Sequence, residues 1–422
     1  MSWVSVVCFG ICSGIILTTL NRGADPLSPT RIFAFMWSIA IALTELKYSA
    51  FQHEWNAQSW ILLLIPIGSF LLGTFVAYVV NLEKDLVPIH KMRVRLNAER
   101  VREKQLFWLI CLVTTVYAIS YLANFLIKGW LPIEAAEKHV SRVDFNVTGL
   151  SFLTYLVPSI MFFVVLYFLK VQAKKGKKVV LAILFLVVLG SFLLFVSRFQ
   201  IIMIIIICVT LFYYSTQYIR FRTGLTLFLF VTGFFYWISS IRLSHLVATY
   251  LHTASRMRFS KDYALFTEPY MYFVMNLENF GRSVNLLESH TYGYYTFDFI
   301  TAMSGLKYWV YDYFRMERHP FLISSYNTYT SFWPFYSDFG VVGLALIPLV
   351  LGLGIGMLYY QMRIRPSTKN VTAYGVMVFV MFLSFFIFPL SWLWFELNML
   401  VIYLGLRWTM IPWKEHVLSS SL

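Results

Sequence analysis

The sequence alternates between long apolar runs and short polar connections, and this alternation constrains the fold more than any other feature. A helix needs about 20 apolar residues to cross roughly 30 Å of hydrocarbon, and in lipid its backbone groups must be satisfied internally. The pattern therefore predicts an all-α, polytopic transmembrane helix bundle. We expect about eleven spans, at residues 3–20, 31–50, 59–81, 106–127, 148–170, 179–196, 199–216, 224–242, 338–361, 370–388 and 391–409.

Composition supports a lipid environment over an aqueous one. Of the 422 residues, 59% are hydrophobic and 13% are charged, whereas about a quarter of the residues in a soluble domain are charged. The net charge of +14 would also suit a nucleic-acid-binding protein, but the basic residues gather in short loops between apolar runs. That distribution is typical of membrane topology, and we expect no nucleic-acid partner.

The lysines and arginines also predict the orientation of the chain, because short cytoplasmic loops carry an excess of them. Placing the basic loops inside puts the N-terminus in the periplasm and the C-terminus in the cytoplasm. The predicted organisation is eight spans, one large periplasmic loop, and three spans with a cytoplasmic tail. These three parts are residues 1–242, 243–337 and 338–422.

The large loop, residues 243–337, balances acidic against basic residues and is dense in tyrosine, phenylalanine and tryptophan. Disordered segments lack such aromatic content, so we expect the loop to fold. Residues 263–284 have the pattern of an amphipathic helix lying on the membrane surface. The sequence thus predicts that the loop contains amphipathic helices.

The usual motifs of soluble enzymes are missing from the sequence. There is no Walker A loop, no GxGxxG after a strand, no HExxH and no GxSxG. The four cysteines lie inside apolar runs without the spacing of a metal site. We therefore expect no metal and no cofactor, and an enzyme of this kind would use a donor that is already in the membrane.

Arginines stand out at the predicted outer ends of helices. A guanidinium at membrane depth is costly, and its planar fork suits bidentate contacts with phosphate. The alternative is that these side chains reach lipid headgroups or pair with the nearby carboxylates. The candidate phosphate-binding residues are Arg198, Arg242, Arg256, Arg258 and Arg282.

A polar cluster precedes the ninth predicted span. Tyr326, Asn327, Thr328 and Tyr329 are followed by Asp338, which could orient a sugar hydroxyl or cap the N-terminus of the following helix. Glycines continue into the span at Gly343, Gly352, Gly354 and Gly356. The last three are expected to permit close helix packing.

The segment from Asn327 to Gly343 reads NTYTSFWPFYSDFGVVG, and it resembles the N-T-Y…(D/E)-x-G-x-x-G signature of the O-antigen polymerase and ligase superfamily. Two further features are similar to the polymerase branch. One is Asp25-Pro-Leu-Ser-Pro29 before the second span, and the other is Ser197-Arg198 opening a helix that ends in Tyr213-Tyr214. The predicted topology is similar as well, so the resemblance covers most of the chain.

The resemblance implies a Wzy-type polymerase of the bacterial inner membrane. Such an enzyme moves a growing glycan from undecaprenyl diphosphate onto the next lipid-linked repeat unit at the periplasmic face, and a chain-length regulator protein is a candidate partner. Arg198, Arg242 and Arg282 would then hold the diphosphate, and Asn327, Tyr329 and Asp338 match the polar motif.

The general base remains open, because the ligase branch commonly has a histidine at the position of Tyr326, and the nearest one here is His319. The candidates are His319, Glu268, Glu278 and Asp338. Two other functions are considered: a ligase that transfers finished glycan to the lipid A core, and a transporter or flippase of lipid-linked sugars. Transporters usually show internal repeats and polar residues at midplane, whereas the charges here cluster at one face, which favours an enzyme.

Overall fold

The computed structural model describes residues 2–22, 24–131, 145–147, 149–172, 175–195, 199–216, 233, 245–287, 289–310 and 326–411. Within these ranges the chain is helical and contains no β-strand. Two isolated bridges, Ser49 with Met257 and Val101 with Met410, are the extended pairings present there. The all-α prediction is confirmed for the described part of the chain.

The helices vary from one turn to more than thirty residues. Short 3₁₀ helices occupy Ser151–Tyr155, Lys261–Phe266 and Pro389–Ser391. The α-helices are α1 (Trp3–Arg22), α2 (Pro29–Thr44), α3 (Ala57–Val80), α4 (Ile89–Ala98), α5 (Glu103–Lys128), α6 (Val157–Lys170), α7 (Lys175–Leu193), α8 (Phe199–Ser215), α9 (His245–Ala254), α10 (Thr267–Ser283), α11 (Asp298–Met303), α12 (Leu306–Val310), α13 (Trp333–Ile364), α14 (Thr368–Leu383) and α15 (Leu393–Thr409).

Six helical segments in the described residues are long and apolar enough to cross a membrane. They include α1, α3, α5, α7 and α13, together with the continuous stretch Ser151–Lys170. The shorter helices α2, α8 and α14 are also apolar. This set of helices is that of a membrane protein. Of the predicted span at 224–242 the structure describes residue 233 alone, and each of the other predicted runs contains helix.

Two helices end before the apolar runs that predicted them. In the run at 31–50, α2 already ends at Thr44, because Lys47 adopts a left-handed φ of 51° and the chain after it pairs with residues 256–258. The run at 370–388 likewise outlasts α14, which ends at Leu383. Hydrophobicity sets where a chain stays in apolar surroundings, whereas these helix ends are set by backbone pairing with distant residues.

The chain divides into two compact units. In the first, α10 packs across α2, and the Trp37 indole stacks on Phe332 with ring centroids 4.4 Å apart. In the second, the amide oxygen of Asn398 accepts hydrogen bonds from the backbone N–H (3.0 Å) and hydroxyl (2.6 Å) of Ser159, at the start of α6. The first unit is Met1–Lys84, Phe221–Tyr360 and Met377–Leu393, and the second is Asp85–Arg220, Gln361–Val376 and Trp394–Leu422.

Glycines bring α3 and α13 into backbone contact inside the first unit. A Cβ atom at Gly352 would lie 2.2 Å from the Phe70 carbonyl oxygen, and one at Gly73 would lie 2.2 Å from the Leu349 carbonyl oxygen. Gly356 packs in the same way against Ala77. The packing prediction is therefore confirmed for Gly352 and Gly356. It is wrong for Gly354, which has no neighbouring atom within 4 Å.

We expect Gly352→Ala to lower the thermal unfolding midpoint of the detergent-solubilised protein. Its added methyl group meets backbone, which cannot rotate away, and overpacking of this kind typically costs about 1–3 kcal/mol. Gly354→Ala is the matched control in the same helix, and its midpoint should equal or slightly exceed the wild-type value because alanine favours helix. Equal midpoints for the two variants would show that α3 and α13 are not in contact.

Candidate functional site

The described candidate residues all belong to the first compact unit, and they lie on four segments. Glu278 and Arg282 are on α10, whereas Arg256 and Arg258 lie in the turn after α9. Asn327 and Tyr329 lie in the extended segment before α13, and Asp338 lies within α13. Arg198, Arg242 and His319 fall outside the described residues.

Two asparagines of α10 fix the segment that contains Asn327. The Asn279 side-chain amide donates to the carbonyl oxygens of Tyr326 and Thr328, both at 2.9 Å. The Thr328 hydroxyl donates to the Asn276 amide oxygen. Asn327 stands between these two anchored carbonyls with its side chain exposed. The helix therefore holds the backbone on both sides of Asn327 and leaves its amide free to meet a ligand.

A row of aromatic rings continues from this segment into α13. The Tyr329 and Trp333 rings are stacked with centroids 4.8 Å apart. Trp333 lies beside Tyr336 at 6.4 Å, and Tyr336 meets the edge of His290 at 6.2 Å. The Tyr336 hydroxyl donates to the Val284 carbonyl oxygen at 3.1 Å, just after α10. Tyr329 and Tyr336 are half-buried and Trp333 is buried between them, and the row begins next to the exposed Asn327.

Asp338 is fully buried, and its carboxylate anchors a distant turn of the large loop. It accepts hydrogen bonds from the Thr291 hydroxyl, from the Tyr295 N–H at 3.2 Å and from the Thr296 N–H at 2.6 Å. Donors from the protein thus occupy both oxygens. The alternative of a helix N-cap is wrong, because the described donors to this carboxylate come from residues 291–296 and none is an N–H of α13, on either side of the break at Gly340. In this structure Asp338 positions the turn at 291–296, and a direct contact with a sugar stays a prediction.

The glycines of the D-x-G-x-x-G motif bend the start of α13. Gly340 has φ 61° and ψ −145°, which interrupts the helix, and a Cβ atom there would lie 3.0 Å from the Nε2 atom of His290. Gly343 approaches the Phe335 carbonyl oxygen so closely that a Cβ atom would lie 2.2 Å away. The motif therefore encodes a tight bend that carries Asp338 inward and leaves space for an imidazole.

His290, Asn276 and Asn279 are site residues that the sequence analysis did not identify. The exposed His290 ring pairs through Nδ1 with the Ser337 carbonyl oxygen at 3.2 Å, beside the bend at Gly340. The three-residue spacing of the asparagines, on one face of an amphipathic helix, was the available signal. For His290 the sequence offered only its position before a tyrosine-rich turn.

Glu278 is buried on a different face of α10. Its Oε2 atom accepts a hydrogen bond from the Trp55 indole N–H at 3.2 Å, whereas Oε1 is buried without a hydrogen-bond partner in the described structure. Burial raises the pKa of this carboxyl group to about 8, against the smaller opposing effects of the Trp55 N–H and Lys47. A titratable oxygen with free capacity is thus present one turn from Arg282.

The three described arginines keep their charges unpaired. Arg256, Arg258 and Arg282 are exposed, and none forms an ion pair with a carboxylate of the described residues. The Arg256 guanidinium lies over the Phe51 ring at 5.1 Å. The Arg258 N–H donates to the Tyr48 carbonyl oxygen at 2.8 Å, which fixes this turn to the α2–α3 loop. Anchored backbone with free guanidinium groups is an arrangement suited to anions.

We expect Asp338→Asn to destabilise the protein more than Asn327→Ala. The asparagine NH₂ group would replace an oxygen that now accepts a hydrogen bond from a backbone N–H, so two donors would face each other. A buried donor left unsatisfied typically costs about 1–3 kcal/mol. Asn327 is exposed, so its truncation should leave the unfolding midpoint nearly unchanged. Thermal unfolding followed by tryptophan fluorescence in detergent measures both, and an unchanged midpoint for Asp338→Asn would contradict the anchoring role.

The chain matches no family model, no curated protein and no solved structure. The likeness to the polymerase and ligase superfamily therefore rests on the motif residues themselves. Of these, Asn327, Tyr329, Asp338 and Gly340 lie in one continuous segment, which α10 and the turn at 291–296 hold in position.

Proposed function

We propose that the protein is a metal-independent membrane glycosyltransferase that polymerises oligosaccharide repeat units carried on undecaprenyl diphosphate. The observation that carries the proposal is the exposed Asn327, set between two carbonyls held by Asn279 and next to the Tyr329–Trp333 stack. An amide and a pair of aromatic rings are groups that bind sugars. Unpaired arginines on the same unit suit the diphosphate of a lipid-linked donor.

The proposed reaction is a displacement at the anomeric carbon of the growing glycan. A hydroxyl oxygen of the incoming repeat unit bonds to that carbon, the bond from the carbon to the diphosphate oxygen breaks, and the lipid diphosphate leaves with the electron pair. The hydroxyl proton passes to a base. Arginines that face the diphosphate stabilise the charge that develops on it. The site faces the periplasm of a bacterial inner membrane, as the distribution of lysine and arginine favours.

Between the candidates Glu278 and Asp338, Glu278 has the oxygen that could still accept a proton. Its Oε1 atom has no partner in the described structure, whereas the oxygens of Asp338 are taken by Thr291, Tyr295 and Thr296. The raised pKa of Glu278 also makes it a stronger base than an ordinary carboxylate once it is ionised. We therefore assign proton acceptance to Glu278, with His290 as the alternative beside the motif bend.

One reconstitution distinguishes the three functions considered. Purified protein in liposomes receives a single lipid-linked repeat unit, with chelator present and no nucleotide sugar. We expect a ladder of products that differ by one repeat unit. Transfer to added lipid A core without a ladder would show a ligase, and movement of the lipid-linked sugar across the bilayer without a new glycosidic bond would show a transporter.

The rate of ladder formation should rise with pH and level off above about 8, because a base acts only when its proton is lost and the pKa of Glu278 is raised to about 8. Glu278→Gln should lower the rate by about 10²–10⁴-fold. The matched control is Glu54→Gln, because the Glu54 side chain is 97% exposed. It should retain wild-type rates.

The same carboxyl group links stability to pH, and this gives a readout that is independent of turnover. A buried acid with a raised pKa holds its proton in the folded state, so the free energy of unfolding should fall as pH rises towards about 8. Glu278→Gln should remove that dependence. Loss of the dependence together with normal ladders would show that Glu278 is a buried structural carboxyl, and His290→Gln would be the next variant.

Arginine should not be replaceable by lysine where it clamps the diphosphate. Lysine keeps the charge but lacks the bidentate fork, and loss of such a transition-state contact costs on the order of a hundredfold in rate. We expect this for Arg198→Lys, Arg242→Lys and Arg282→Lys, measured by ladder formation at matched membrane abundance. Wild-type ladders from all three would refute the clamp, because a lysine that only reaches headgroups serves as well as arginine.

A further inference from the structure

Two short helices of the large loop expose a continuous series of large apolar side chains. We refer to residues 297–309, which include α11 and α12, as the apolar elbow. Ile300 and Leu306 are each 50% exposed, Met303 is 71% exposed and Trp309 is 88% exposed. The Phe297 side chain is 46% exposed. Soluble surfaces rarely carry such a contiguous patch unless something covers it.

The elbow is a defined structure and not a loose segment. Gly305, with φ 73°, makes the bend between α11 and α12. The Lys307 ammonium and the Asp298 carboxylate form an ion pair at 2.6 Å, which ties the two helices together. These are the two charged residues between positions 297 and 310, so their charges cancel. The exposed series is therefore apolar and offers no net charge to an acidic or basic partner.

The position of the elbow indicates what covers it. The turn before α11 is fixed to Asp338, three residues before Val341, where lipid-compatible side chains begin along α13. Val341, Val342 and Val350 are 50%, 63% and 65% exposed on a helix long enough to span a bilayer. On its other side α11 packs against Pro389–Ser391, the corner that follows the apolar helix α14. The elbow thus lies at the level where these helices leave the membrane.

We propose that the apolar elbow inserts into the headgroup and upper acyl region of the bilayer leaflet that α13 enters at Val341. Neutral charge, aliphatic side chains and a tryptophan are the composition that favours the membrane interface. Through the Asp338 anchor, this insertion fixes the height of the bend at Gly340 above the lipid. The inference concerns lipid contact alone and holds whether or not the protein is a glycosyltransferase.

Depth-dependent quenching tests the inference in proteoliposomes. Single cysteines replace Met303 and Trp309 in a variant without Cys8, Cys12, Cys111 and Cys208, and each is labelled with bimane. A label at Val342 is the lipid-facing control, and one at the exposed Lys261 is the aqueous control. Quenching is measured with phosphatidylcholine carrying a doxyl group at carbon 5 and, separately, with iodide in the buffer.

We expect the doxyl lipid to quench labels at 303 and 309 several-fold more than the label at 261, and iodide to show the reverse order. Iodide access at 303 and 309 equal to that at 261 would overturn the proposal. Protection from both quenchers that disappears when the protein is diluted in lipid would overturn it too, because it would show that a second copy covers the elbow. Strong doxyl quenching and weak iodide quenching of the separate Val342 label confirm that the cysteine-free background keeps its fold, and matched unfolding midpoints of the 303 and 309 variants confirm it for them.

Discussion

The buried carboxylate of Asp338 is the interaction on which the described part of the large loop depends. It joins the start of α13 to a turn 42 to 47 residues earlier, through Thr291, Tyr295 and Thr296. A buried carboxylate is stable only when its oxygens are satisfied, and here protein donors supply both. Helices α11 and α12 directly follow this turn. Without Asp338, the bend at Gly340 and the helices beside it would lose their common anchor.

Around that anchor the structure separates positioning groups from groups that are free to bind. The Asn279 amide donates to the backbone carbonyls of Tyr326 and Thr328, the Asn276 amide oxygen accepts from the Thr328 hydroxyl, and the Tyr336 hydroxyl donates to the Val284 carbonyl oxygen. The side chains of Asn327, Arg256, Arg258 and Arg282 are exposed. A rigid support with exposed amide and guanidinium groups is what a site for a large, flexible, charged lipid-linked sugar requires, because the protein then orders little of itself on binding.

Much of this architecture could be read from the sequence, because bilayer thickness imposes a length on every apolar run. The site was harder to predict. The motif from Asn327 to Gly343 drew attention to Asp338, but its partners lie more than forty residues away and no local pattern reveals them. The sequence likewise predicts His319 as a candidate base, whereas the structure places His290 beside Gly340, fifty residues away along the chain. The end of α2 depends on Lys47 in a left-handed conformation, which composition does not signal.

The central claim is that lipid-linked glycan binds at the segment held by Asn279, between Tyr326 and Trp333. Hydrogen exchange measured by mass spectrometry, on the purified protein with and without a lipid-linked repeat unit, tests it most directly. The account predicts slower exchange in peptides that cover residues 326–336 and 278–287, with little change in peptides from α4. Saturating substrate that leaves those peptides unchanged and protects another region would contradict it.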